Sequence, residues 1–92
     1  MSSGQVLFDW DEANILRLAR HHVSPGEVEQ CYLNDPLILE DQWIGHEERY
    51  LALSETNSAR RLAFVFTIRR GMVRIITAYP MTPGQQAVYD EG

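Results

Sequence analysis

Hydrophobic positions in the first third of this chain recur at helical spacing, and in the rest they gather into short strand-length runs. Val6–Asp11 (VLFDWD) is an apolar-rich stretch that predicts a short strand. Asp11 is a good N-cap, and Ile15, Leu16, Leu18 and Ala19 then share one helical face. This predicts a first helix from Glu12 to about His21. Ser24, Pro25 and Glu27 form a cap, a first-turn proline and the third-position acid of a capping box. A second helix therefore starts at Pro25. Val28, Cys31 and Tyr32 give it an apolar stripe, and Asn34–Pro36 ends it. Leu37–Glu40, Glu48–Ser54, Arg61–Arg69 and Met72–Tyr79 read as strands. Arg61–Arg69 is apolar on both faces, which places it centrally, and Arg70–Gly71 turns it back on Met72–Tyr79. Pro80 stops the last strand, and Thr82 and Pro83 open a final helix to about Asp90. The expected architecture is α+β: a mostly antiparallel sheet with two N-terminal helices and one C-terminal helix.

The length of 92 residues suits a single domain over residues 1–92 with one modest core. Met1–Gln5 is short, polar and uncharged, unlike a signal peptide, and no apolar run is long enough to span a membrane. A soluble, cytoplasmic protein is expected. Cys31 is the only cysteine and lies in an apolar stretch, so it reads as a buried, inert thiol.

Charge changes the picture more than composition does. The net charge is −5 and there is no lysine, whereas a general nucleic-acid binder is usually basic. Residues 1–57 hold three arginines against eleven acids. Residues 58–78 hold five arginines and no acid. All excess positive charge thus sits on one expected hairpin. Such a patch can hold a phosphate on an acidic protein, or it can simply keep an exposed hairpin solvated.

Two long stretches carry a family resemblance. WDEAN…LARHHVSPGEVEQ resembles the opening WD-x-x-N…ARHGV-[ST]-P-E-E-V-E of one branch of BrnT-like proteins. IITAYPMTPGQQAVYD is similar to that branch's closing VITARPMTPRERRLY. The likeness runs from Phe8 to Tyr89. It implies a RelE-like fold and the toxin role of a type II toxin–antitoxin pair. It also implies metal-independent RNA cleavage, a small DNA-binding antitoxin as partner, and oligomerisation through that antitoxin. An antitoxin covering the Arg60–Arg74 region would present acids there. The chain departs from the pattern in three places. Tyr79 stands for an arginine, Gly84-Gln85-Gln86 for a run such as Arg-Glu-Arg, and His22 for a glycine that would cap the first helix.

Metal-free cleavage of RNA needs a base at the ribose 2′-hydroxyl, a cation on the phosphate oxygens and an acid at the leaving oxygen. Arg74 matches a family arginine and is the first candidate for the cation; the alternative is an internal ion pair with an acid such as Glu48. Arg49 is a second candidate, on the side of its strand opposite Glu48. Arg60, Arg61 and Arg69 are candidate substrate contacts, with Arg60 and Arg61 expected to be solvent-exposed. His46 lies in an expected loop before a strand, a suitable place for an acid–base group. Tyr79 is a candidate acid, but regular strand parity sends positions 74 and 79 to opposite faces unless a bulge or an early strand end at Pro80 brings them together; otherwise Tyr79 packs against the last helix. His21 reads as a tie between the first helix and the next segment, and His22 has no assigned role. No metal-ligand spacing, phosphate loop or dinucleotide fingerprint is present, so no cofactor is expected. Two functions follow: a ribonuclease toxin, weakened by its missing arginines, or a toxin-fold module that binds protein without cutting.

Overall fold

The computed structural model describes residues 5–92, so the polar opening stretch apart from Gln5 lies outside it. Helices α1 (Glu12–Ala19) and α2 (Pro25–Leu33) precede strands β1 (Leu37–Ile44), β2 (Glu47–Glu55), β3 (Arg61–Arg69) and β4 (Met72–Pro80). Helix α3 (Pro83–Glu91) follows. The strands form one antiparallel sheet in the order β1-β2-β3-β4. The α+β expectation holds, with β3 central between β2 and β4.

Local chemistry explains the helix ends. The Asp11 side chain accepts from the Asn14 N–H at 2.8 Å and starts α1. The helix stops short of the expected His21. His22 takes φ 58°, its N–H donates to Ala19 C=O, and Val23 N–H donates to Leu18 C=O. That is a Schellman motif with histidine where glycine is usual. Ser24 and Glu27 form the expected capping box on α2, and Thr82 with Gln85 forms a second on α3.

Two expected boundaries change. The Val6–Asp11 strand reduces to a single parallel bridge, Phe8 to Val73, on the free side of β4. The loop expected around His46 is instead a two-residue turn, Gly45–His46, because β1 runs on to Ile44 and β2 begins at Glu47. The extension was hidden because β1 is an edge strand whose outer half is exposed on both faces, so no apolar alternation marks it.

Paired residues share a face of a sheet. One face carries Ala52, Leu62, Phe64, Phe66, Val73, Ile75 and Ala78, buried under Leu18, Val23, Val28 and Cys31 from the α1–α2 segment. Burial pushes the Cys31 thiol up to about 12, which fits the inert reading. The other face carries Leu53 and Ala63, with Leu51 and Tyr79 packed beside them and Tyr89 of α3 above. Both Phe64 and Phe66 are buried, as a central strand requires.

Candidate functional site

A β-bulge decides which candidates meet. Val65 pairs with Thr77, but the next residue, Phe66, pairs with Ile75. Ile76 is therefore an extra residue in β4, and the strand's alternation reverses there. Arg74 pairs with Thr67 and Tyr79 with Ala63, and Thr67 and Ala63 lie four residues apart on one face of β3. So Arg74 and Tyr79 share a face. The parity expectation for a regular strand fails because of the bulge, while β4 runs on to Pro80. Arg17 of α1 donates from Nη1 to the Ile76 carbonyl at 3.0 Å, satisfying the group that the bulge frees.

Arg49 joins them. It pairs with Gln42 and lies two residues before Leu51, which pairs with Val65. A groove of about 310 Å³ runs across this face, lined by Arg49, Leu51, Val65, Ile76, Thr77 and Tyr79 among others. Arg49 bonds Glu47 through Nε at 2.8 Å, so among the described contacts its terminal nitrogens are uncommitted. Glu47 also takes Arg69, and these two guanidinium groups, Arg69 first, hold its carboxyl below the usual range.

Tyr79 is half-buried against α3, as the packing alternative expects. The Gln85 Nε2 amide donates to its hydroxyl at 3.1 Å, while the same side chain's Oε1 accepts from Thr82 N–H. With a donor already on its oxygen, the phenol proton points elsewhere. His21, from the other side of the β4 edge, brings its ring to 6.1 Å from the Tyr79 ring. From sequence His21 reads only as a tie after the first helix, and Thr77 and Gln85 carry no signal of a site. No spacing signal could link His21 to Tyr79, because only the bulge and the α1 cap bring them together.

The remaining candidates lie apart from this groove. Arg74 is bound to Asp11 and, at 3.5 Å, to Asp9. This is the internal ion pair of the alternative reading, made with Asp9 and Asp11 in place of Glu48, which accepts from the Tyr50 hydroxyl on the opposite face. Asp9 reaches Arg74 because the Phe8–Val73 bridge lays the N-terminal segment along β4. The Asn14 N–H and then Arg74 hold Asp11 below its ordinary range, and Asp11 in turn raises Arg74 further. Arg60 grips both Glu27 oxygens and the His22 carbonyl. Arg61 pairs with Asp90 at 2.7 Å and lies over the Tyr89 ring. Both are half-buried, not free as expected. His46 is exposed in its turn, beside a separate depression of about 500 Å³ that it shares with Trp43, Arg69 and Arg70.

The basic hairpin thus largely disappears in space. Of its five arginines, Arg60, Arg61, Arg69 and Arg74 are paired with acids of the same chain. An acidic partner for that region has little unpaired charge to meet. Among the described residues, no three His, Cys, Asp or Glu side chains group as a cation site would need. No described helix is long and apolar enough to cross a membrane.

A search of curated proteins finds no match. A family model does match, described as the ribonuclease toxin BrnT of type II toxin–antitoxin systems, over residues 10–84. That stretch runs from Trp10 before α1 to the first turn of α3 and takes in the whole sheet, so this chain belongs to the BrnT family of ribonuclease toxins, whose type II systems set an antitoxin protein against them.

Proposed function

We propose that this protein is a weakened, metal-independent endoribonuclease toxin, acting in the cytoplasm and held by a small DNA-binding antitoxin. Its site on this reading is the groove bearing Arg49, Thr77 and Tyr79. The observation that carries it is the Ile76 bulge, which sets Tyr79, Arg74 and Arg49 on one face. An RNA phosphate lying in the groove would be gripped by the terminal nitrogens of Arg49. His21 takes the proton from the 2′-hydroxyl as O2′ bonds to phosphorus. The phosphorus–O5′ bond breaks, and Tyr79 delivers its phenol proton to O5′. The products are a 2′,3′-cyclic phosphate and a 5′-hydroxyl end. Weakness follows from a groove lined by one arginine, Arg49, and from the commitment of Arg74 to Asp9 and Asp11. A guanidinium already holding two carboxylates must release them before it can stabilise a phosphate.

That same commitment favours the second reading, a protein-binding module that no longer cuts. Expression of the chain alone separates the two, scored by growth arrest and by cyclic-phosphate ends on cellular RNA. Arrest that Arg49→Ala and Tyr79→Phe each abolish supports the nuclease. No cyclic-phosphate ends at any expression level supports the module.

A further inference from the structure

Strand β1 closes one side of the sheet, and among the described residues it pairs only with β2. Its outer half is unusual for a free edge. Glu40, Asp41 and Gln42 are exposed there, and so are Trp43 at 65% and Ile44 at 48%. Charges on an edge guard it against pairing with other strands. An exposed tryptophan and isoleucine beside them do the reverse, since tryptophan is enriched where binding energy concentrates.

We propose that the edge of β1 from Glu40 to Ile44 is the docking strand for an extended basic segment of the antitoxin. Main-chain pairing along the edge would supply affinity, and side chains on the two faces would supply selectivity. Asp41 and Trp43 pair with Tyr50 and Glu48 and share one face; Glu40, Gln42 and Ile44 share the other. A strand laid antiparallel to β1 is therefore met by apolar groups first, then a polar one, then acids. The matching segment carries two apolar residues, a polar one and two cations in that order.

Charge complementarity selects this occupant over a second copy of the chain. The midpoint of β1 falls between Glu40 and Asp41. Two copies paired about that midpoint would set Glu40 of each against Asp41 of the other, where like charges repel; a pair centred on Gln42 would set Glu40 against Ile44 and Asp41 against Trp43, leaving four carboxylates with no cation on the facing strand. The inference stands on family membership, not on RNA cleavage, so it survives a protein that cuts nothing.

The test uses the full chain carrying Trp10→Phe, which leaves Trp43 as its sole tryptophan. A short synthetic peptide centred on Val-Val-Thr-Lys-Lys should shift Trp43 emission to the blue and slow amide exchange across residues 40–44. The same peptide with glutamates for lysines should do neither. Glu40→Lys with Asp41→Lys should weaken the lysine peptide by about tenfold or more and admit the glutamate one. A lysine peptide that changes nothing, or that binds the reversed variant equally well, overturns the proposal. So does protection of the same amides by protein concentration alone, which assigns the edge to a second copy. A Trp43 response to single-stranded RNA but not to peptide assigns it to nucleic acid and also overturns it.

Discussion

Salt dependence of RNA binding tests how much of the positive charge is available. Each phosphate neutralised on a single strand contributes about −0.7 to the slope of log affinity against log salt. If all five arginines between residues 58 and 78 met phosphates, the slope would be about −3.5. Raising salt from about 50 to about 200 mM would then cost about 130-fold in affinity. Four of those five are paired with carboxylates of the same chain. A paired arginine that turns to a phosphate abandons a carboxylate, which recruits a cation of its own, so the net release is close to nil. Among the described residues, Arg17, Arg20 and Arg70 have no carboxylate within salt-bridge distance. Arg17 bonds the Ile76 carbonyl at the bulge and Arg20 lies just past the last residue of α1, next to His21, whereas Arg70 is at the far turn. Arg17 and Arg20, with the terminal nitrogens of Arg49, make three phosphate contacts, which give a slope of about −2.1 and a loss of about 18-fold over the same salt range. The assay is fluorescence anisotropy of a labelled single-stranded RNA. Arg20→Ala should flatten the slope by about 0.7. A slope near −3.5, or one untouched by Arg20→Ala, refutes the reasoning that intramolecular pairs consume the basic hairpin.

Tyr79→Arg adds a cation but removes the phenol proton, so it should tighten RNA binding by about tenfold or more, the worth of one charged hydrogen bond, while abolishing cleavage; adding Gln85→Glu, which sets a carboxylate where Gln85 now meets Tyr79, should cancel most of that gain in binding. Gly84→Arg should fold normally, since a Cβ there meets only the Thr82 hydroxyl at 4.0 Å, and should tighten RNA binding without changing the melting temperature. Phe64→Ala empties a fully buried site and should cost about 3–5 kcal/mol, lowering the melting temperature by roughly 12 °C or more in circular dichroism. Glu27 and Glu47 lie below their ordinary 4.5 and Asp11 below 3.8. The stability they give is complete above those values and lost as pH falls through the lowered ones, so denaturant midpoints should stay level down to about pH 4.5 and decline below it.

Much of this molecule was determined along the chain itself. Asp11, Ser24 and Thr82 each start a helix through a local bond to the backbone N–H three residues on, so composition and short spacing suffice to find them. Phe64 and Phe66 mark the central strand because burial on both faces leaves an apolar run. His22 at the end of α1 takes the left-handed geometry expected of the glycine it replaces, since the Schellman bonds demand it. The outer half of β1 is illegible in the sequence because a strand exposed on both faces carries no periodic signal.

The site was decided only in three dimensions. Nothing near Ile76 announces a bulge; it shows only in the pairing of β4 with β3, where Arg17 holds the freed carbonyl. That one extra residue moves Tyr79 to the face of Arg74. Charge behaved the same way. The sequence separates eleven acids from five arginines, but folding brings Asp9 and Asp11 to Arg74, Glu27 to Arg60 and Glu47 to Arg69. Coulomb attraction falls off with distance in space and is indifferent to separation along the chain, so only the tertiary structure could show which cations remain to meet RNA.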